Sequence, residues 1–170
     1  MRIPFFKKKS KKQRYTIAFY NLENLFDPER NKNTLDRDYT PTGLKKWTVE
    51  RYRRKLSKLA KTITRIGDEN HSYPPVLIGV AEAENNSVLE ALLGTDPMED
   101  LDYDFIHFDS PDERGIDTGL IYHKKFFKVL HAEPLALMVN NAGGIRDTTR
   151  DILYVKGELN KELVHVFVNH

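Results

Sequence analysis

The chain of 170 residues contains no cysteine, which excludes disulfides, thiolate zinc sites and cysteine nucleophiles. It also lacks an apolar run long enough to cross a membrane, and no apolar segment follows its basic start as a secretory signal would require. These absences are typical of a reducing compartment and predict a cytoplasmic protein. The formal net charge of +2 is too small to indicate nucleic-acid binding by itself.

The composition is that of a folded domain, because 39% of the residues are hydrophobic and 31% are charged. A basic run at residues 7–14 precedes the first apolar segment. Such runs are mostly solvated, so we predict a disordered tail over residues 1–14 and a single folded domain over residues 15–170. Attraction of this tail to a polyanion is the alternative.

A short apolar run at residues 76–80, directly after a pair of prolines, predicts a strand that is buried on both faces. Glu82 and Glu84 follow where this strand ends, and the asparagines at 85–86 can cap a helix over residues 87–93. A buried carboxylate needs a partner, and a cation is one that fits. A pair of solvated glutamates at a loop mouth is an equally good interpretation of the spacing alone.

Residues 15–20 predict a first strand that ends at Asn21, because asparagine disfavours strand interiors. A polar, turn-rich loop is expected over residues 28–42. An amphipathic helix then begins after the N-cap Thr48 and ends at Gly67, with apolar residues at helical spacing and a basic face that we expect to be solvated.

The pattern over residues 103–169 is a long series of strands, with a hairpin-like loop at residues 140–149. The last two strands are expected to form an antiparallel pair joined by residues 160–161. His107 and His165 lie within strands and are expected to be structural or surface residues. The whole order predicts an α+β or layered α/β architecture.

Polar side chains stand at several predicted strand ends: Asn21, Glu82, Asn169 and His170 at strand exits, and Arg150 at a strand entrance. An amide oxygen and a carboxylate are hard ligands that suit Mg²⁺, Mn²⁺ or Ca²⁺ rather than zinc. Arginine offers a planar fork for phosphate, and histidine offers a hydrogen-bond donor. Metal-assisted hydrolysis of a phosphoester requires this combination of residue types.

Each of these residues also has a structural explanation. Asn21 could cap a turn, His170 could be a satisfied histidine at a strand end, and Arg150 could pair with Asp151 as a weak ion pair. Only the joint pattern therefore carries the functional interpretation.

The segments that bear these residues resemble, in order, motifs of the endonuclease/exonuclease/phosphatase superfamily, whose fold is DNase I-like. The sequence Asn-Leu-Glu-Asn-Leu-Phe at 21–26 looks like the bacterial version of the first motif, and Ala81 departs from the glutamine that many members have. The resembling segments are residues 18–26, 78–85, 114–122, 149–153 and 167–170.

This resemblance implies a divalent-metal-dependent phosphoesterase, most simply a nuclease that cleaves phosphodiester bonds. By the same alignment Glu82, not Glu84, binds the metal together with Asn21, and the cofactor is Mg²⁺ or else Mn²⁺ or Ca²⁺. Arg150 would lie beside the phosphate, and the Asn169-His170 motif would contact the scissile phosphate. The implied fold is the N-terminal portion of a four-layer α/β/β/α sandwich, truncated after residue 170.

In members of the superfamily two further motifs, Gly-Asp-x-Asn and Asp-His, come after the Asn-His motif, and neither follows Asn169-His170 in this sequence; the Gly-Asp-Glu-Asn at 67–70 precedes the second motif and is out of that order. We therefore expect the chain to be the N-terminal part of a larger enzyme, inactive alone. A half-sandwich would expose an apolar sheet face that needs the missing C-terminal half or a partner chain. The alternatives are a phosphatase acting on inositol phosphates or lipids, and a non-catalytic interaction module that retains the fold.

Overall fold

The computed structural model describes residues 14–29, 37–69, 73–140 and 142–170, which form two packed β-sheets, a short two-stranded sheet and two helices. The predicted tail, apart from Arg14, and residues 30–36 of the predicted loop lie outside the described residues. The elements are β1 (Ile17–Leu25), α1 (Val49–Ile63), β2 (Leu77–Ala83), α2 (Asn86–Leu93), β3 (Tyr103–His107), β4 (Asp117–His123), β5 (Phe127–Leu135), β6 (Val139–Asn140), β7 (Arg146–Asp147), β8 (Ile152–Leu159) and β9 (Glu162–Val168).

Sheet A has the strand order β1-β2-β4-β3, with β1 parallel to β2 and the other pairs antiparallel. Sheet B is antiparallel throughout and has the order β5-β8-β9. The short strands β6 and β7 form a hairpin that interrupts the connection from β5 to β8. The parallel β1–β2 pair brings the carboxyl ends of both strands to the same edge of sheet A, which positions the candidate site.

The helices cover one face of sheet A, where Leu56, Ile63 and Leu89 pack with Ile78 and Val80 in the larger core cluster. The opposite face packs on sheet B through a second cluster: Val76, Leu77, Leu120, Phe127, Leu153, Val155 and Val168. These layers confirm the predicted α/β sandwich, in the order helices, sheet A, sheet B. The described residues place no helical layer on the outer face of sheet B.

The helix boundaries follow from their caps. Thr48 accepts a hydrogen bond from the Arg51 amide at 3.3 Å, and Asn85 accepts one from the Val88 amide at 3.1 Å, so both predicted N-caps are confirmed. The prediction that α1 continues to Gly67 is wrong. The helix ends at Ile63, because the Thr64 hydroxyl bonds back to the Ala60 carbonyl and the chain then turns.

The connection between β8 and β9 has the predicted form. Asn160 and Lys161 adopt φ values of 49° and 72°, which are the left-handed conformations that a two-residue primed turn requires. The tight turn fixes the register in which Leu153 pairs with Val168. It thereby sets where β9 ends and where His170 lies.

Sheet A ends on β1, and this edge strand exposes apolar side chains. Ile17 is 62% exposed and Phe19 is 53% exposed. The expectation of exposed apolar sheet surface agrees with these values, whereas the identity of its covering segment stays a prediction. Among the residues that the structure describes, neither helix combines the length and the apolar composition needed to cross a bilayer.

Candidate active site

The candidate site is built on irregular backbone at the edge of sheet A. Asn21 pairs with Ala81 and the next pair is Leu25 with Ala83, so residues 22–24 lie opposite Glu82 alone. The prediction that β1 ends at Asn21 is therefore wrong, since the strand resumes at Leu25 after this bulge. Such a bulge changes the direction of a side chain that strict alternation would have placed elsewhere.

The bulge holds non-glycine residues in left-handed conformations, with φ values of 55° at Glu23, 60° at Asn24 and 64° at Glu82. A residue with a side chain pays of order 1–3 kcal/mol for such a conformation. The cost is sustained only if neighbouring contacts hold the backbone in place, and several contacts described below do so.

Glu82 is held through both of its carboxylate oxygens. Oε2 accepts a hydrogen bond from the Asn24 amide at 2.7 Å, and Oε1 accepts one from Nδ2 of Asn21 at 3.1 Å. Oε1 also lies 3.7 Å from Nε2 of His170. The side chain is 12% exposed, so a small ion in solvent can still reach it.

The amide of Asn21 is oriented by the bulge itself. Its Oδ1 accepts a hydrogen bond from the Glu23 amide at 2.7 Å, which directs Nδ2 towards Glu82 and towards Nε2 of His170 at 3.3 Å. The structure brings Asn21 and Glu82 together, as the sequence predicted. The contact between them uses the amide nitrogen of Asn21, whereas the prediction concerned its amide oxygen. The oxygen that would bind a cation has one lone pair left beyond its bond to Glu23.

Arg150 precedes β8 and is engaged on three sides. Its Nη1 lies 3.0 Å from Nδ1 of His170, its Nε donates to the Ile116 carbonyl at 3.1 Å, and its Nη2 lies 3.2 Å from Oδ2 of Asp112. The Arg150 and Asp112 side chains are only 14% and 8% exposed. Sequence reasoning suggested Asp151 as the ion-pair partner and missed Asp112, although Asp112 lies in the loop just ahead of a motif segment.

The contacts join Asn21, Glu82, His170 and Arg150 into one network, although Asn21 and His170 are separated by 149 positions in the chain. Asn169 directly precedes His170 and is exposed, and the contacts described above do not include it. The network brings together one carboxylate, one amide, one imidazole and one guanidinium group. That set suits a cation beside a bound oxyanion.

Two basic residues that were not among the predicted site residues also hold the bulge. Lys55 of α1 donates its ammonium hydrogens to the Glu23 carbonyl and, at 3.4 Å, to the Asn24 carbonyl. Burial lowers the pKa of Lys55, while the charges of Glu23 and Glu82 oppose that shift. Arg114, from the loop ahead of β4, donates to Oδ1 of Asn24. The expectation of a solvated basic helix face is therefore wrong at Lys55.

We expect the substitution Lys55→Met to lower the free energy of unfolding by about 1–2 kcal/mol, because it removes a charged donor from two carbonyls of the strained bulge. Methionine keeps an unbranched apolar side chain but also removes the ammonium that lies 5.4 Å from the centroid of the Trp47 ring. Urea unfolding measures the change, and Lys58→Met, an exposed lysine on the same helix, is the matched control. Equal stability of the two variants would contradict the role given to Lys55.

Glu84 plays a different part from Glu82. Its side chain is buried, and Oε2 accepts a hydrogen bond from the Asp27 amide at 2.6 Å, while its own amide donates to the Leu25 carbonyl. Burial raises the pKa of Glu84 to about 7, and the charge of Asp27 adds to the increase. Glu84 therefore anchors the segment that follows β1.

This raised pKa makes a prediction about stability and pH. A folded-state pKa of about 7, against an ordinary 4.5, means that the folded chain keeps a proton that the unfolded chain has lost. The free energy of unfolding should therefore fall as the pH rises from 4.5 to 7, by about 3 kcal/mol from this group. In Glu84→Gln this part of the pH dependence should be absent when the free energy of unfolding is measured with urea at pH 5 and at pH 7.5. A Glu84→Gln variant whose free energy of unfolding changes with pH as much as that of the parent chain would contradict this prediction.

Comparison with known proteins gave a match between a model of the Endonuclease/Exonuclease/phosphatase family and residues 16–170. Among solved structures, a humanized D. rerio TDP2 is 13% identical, with a TM-score of 0.48 and coverage of 88% of this chain and 46% of that one. The human Nocturnin catalytic domain with bound sulfate is 14% identical, with a TM-score of 0.43 and coverage of 66% of this chain and 40% of that one. An endonuclease/exonuclease/phosphatase from Bacteroides vulgatus is 17% identical, with a TM-score of 0.47 and coverage of 88% of this chain and 49% of that one.

The chain thus spans less than half the length of each of these solved chains. A comparison with curated protein sequences gave no match.

Proposed function

The chain belongs to the endonuclease/exonuclease/phosphatase family, and we propose that it is the metal- and phosphate-binding part of a divalent-metal-dependent nuclease that hydrolyses phosphodiester bonds. The observation that carries the proposal is the network in which Glu82, Asn21, His170 and Arg150 meet at one sheet edge. An ordinary structural cluster would pair the carboxylate with the arginine. Here the arginine is paired with Asp112 instead, and Oε1 of Glu82 has Nδ2 of Asn21 and Nε2 of His170 as neighbours in the part of the chain that the structure describes.

The residues fit a hard divalent cation. Oε2 of Glu82 is committed to the Asn24 amide, which leaves Oε1 and the remaining lone pair of Asn21 as oxygen ligands. Mg²⁺ needs few protein ligands because it retains water and takes phosphate oxygens for the rest. Such an ion, when bound, supplies Lewis-acid stabilisation of the charge that develops on the phosphoryl oxygens.

The other two residues bind and orient the phosphate. Nη1 of Arg150 can only donate, so Nδ1 of His170 accepts and the proton of a neutral ring lies on Nε2, 3.7 Å from Oε1 of Glu82. Nε2 and Nδ2 of Asn21, 3.3 Å apart, are then both donors and form no hydrogen bond with each other. In this position Nε2–H donates a hydrogen bond to a phosphoryl oxygen, and the charge of Arg150 strengthens the attraction for the anion. Asp112 and the Ile116 carbonyl fix the plane of the guanidinium group.

These residues supply charge stabilisation and orientation, but none of them is placed as a general base for an attacking water. We therefore assign the activity to the whole protein, with nucleophile activation by groups beyond this network.

The test is hydrolysis by the protein as its native gene encodes it, with single-stranded DNA, RNA, an inositol polyphosphate and a simple diester as substrates. We expect cleavage of the nucleic acids and the diester that requires Mg²⁺ or Mn²⁺ and stops when a chelator is added. Preference for the inositol phosphate would instead favour a phosphatase. Absence of all four activities in folded protein that still binds phosphate would leave the non-catalytic interaction module.

A further inference from the structure

His107, at the end of β3, carries a buried nitrogen without a hydrogen-bond partner. Its side chain is 1% exposed, and Nδ1 lies 3.0 Å from Oδ1 of Asn86 in the first turn of α2. Nε2 is fully buried and has no hydrogen-bond partner. Because an amide oxygen only accepts, the ring proton of neutral His107 lies on Nδ1, and Nε2 presents a lone pair.

A carboxylate lies close to this nitrogen. Oδ2 of Asp117, whose side chain is 5% exposed, lies 3.9 Å from Nε2 of His107, and the other oxygen of Asp117 accepts a hydrogen bond from the Ser110 hydroxyl. A direct hydrogen bond would need a separation of about 3 Å. Two electron-rich atoms facing each other in a buried place are stabilised by a positive charge between them. A metal ion about 2.1 Å from each atom fits this separation with a bent geometry at the metal.

Asp109 is the third candidate ligand, on the solvent side, and its Oδ1 lies 4.0 Å from Nδ1 of His107. One ligand atom from each of His107, Asp109 and Asp117 lies within 4.8 Å of the others. The Asp109 side chain is 88% exposed, so it can rotate to complete a site that opens to water. The arrangement has a buried imidazole, a buried carboxylate and an exposed carboxylate at the mouth.

We propose that His107, Asp109 and Asp117 bind a divalent transition-metal ion, with Zn²⁺ as its probe, at a site that shares no ligand with Glu82. An imidazole with carboxylates selects such an ion over Mg²⁺, which prefers oxygen ligands throughout. Asn86 acts as the outer hydrogen-bond partner that fixes the tautomer of a metal-binding histidine. The ion would join β3, β4 and the start of the loop that carries Asp112 and Arg114.

The first experiment titrates the metal-free 170-residue chain with Zn²⁺ in an excess of Mg²⁺, by calorimetry at pH 7.5. We expect one equivalent of Zn²⁺ to bind, equally well to Glu82→Gln. Affinity should fall by about 10- to 100-fold in Asp109→Asn and by more in His107→Gln. Asp104→Asn, an exposed aspartate on β3, is the matched control. Unchanged binding by both Asp109→Asn and His107→Gln would overturn the proposal, as would loss of binding in Glu82→Gln.

A second measurement does not depend on the folding of any variant. Nitrogen-15 spectra of histidine-labelled parent chain report the protonation of each ring nitrogen. Without metal at pH 7.5 we expect Nε2 of His107 to be unprotonated, and we expect its resonance to move when one equivalent of Zn²⁺ is added. A proton on Nε2 of His107 is the competing arrangement. A His107 resonance that Zn²⁺ leaves in place, or an Nε2 that is protonated in the metal-free chain, would refute the metal site.

Discussion

Replacing Glu82 by glutamine is expected to lower the rate of Mg²⁺-dependent phosphodiester hydrolysis by at least about 100-fold, because it removes the only carboxylate of the proposed metal site. Folding should be nearly unaffected. A glutamine carbonyl still accepts from the Asn24 amide, and the strand pairs on either side of the bulge, Asn21 with Ala81 and Leu25 with Ala83, do not involve the Glu82 side chain. The two readouts are the initial rate at saturating Mg²⁺ and the urea midpoint, both measured on the protein that the native gene encodes.

The control is Glu90→Gln, which removes an exposed carboxylate from α2 without touching the network. It should match the parent protein in rate and in stability. A Glu82→Gln variant that kept full activity would remove Glu82 from the metal site. A variant that lost activity and most of its stability together would show that the carboxylate serves the bulge instead.

The sequence was sufficient to predict features that depend on short-range chemistry. Thr48 and Asn85 cap their helices because a side-chain oxygen reaches an amide three residues later. Asn160 and Lys161 form the predicted turn because two β-rich segments flank them at hairpin spacing. The candidate residues at strand ends were found by type and position, and the structure brings Asn21, Glu82, His170 and Arg150 together.

The bulge itself could not be predicted, because register is a property of two strands and periodicity describes one. Nothing in the composition of residues 22–24 requires them to lie opposite Glu82 alone. The contacts that support it are also remote, since Lys55 is 32 positions from Glu23 and Arg114 is 90 positions from Asn24. Helical periodicity assigned Lys55 to a solvated face, and only the packing of α1 beside β1 turned it into a donor for the site.

The second large effect is expected at Arg150, where stability and activity can be separated. Arg150→Met leaves Asp112 buried and without its ion-pair partner, since the two side chains are 14% and 8% exposed. Breaking a buried pair from one side costs about 3–5 kcal/mol. We therefore expect a large fall in the free energy of unfolding, together with loss of phosphate binding and of hydrolysis.

The variant that distinguishes the two effects is Arg150→Met combined with Asp112→Asn. Asparagine removes the uncompensated charge, while its Oδ1 still accepts from the Arg114 amide, a bond of 3.0 Å in the parent chain. The double variant should recover most of the lost stability in urea unfolding, and it should remain inactive because His170 has lost its donor and the phosphate has lost its guanidinium group. Recovery of both stability and rate would mean that Arg150 only holds the loop in place. Continued inactivity of a stable protein is the result that a phosphate-binding role requires.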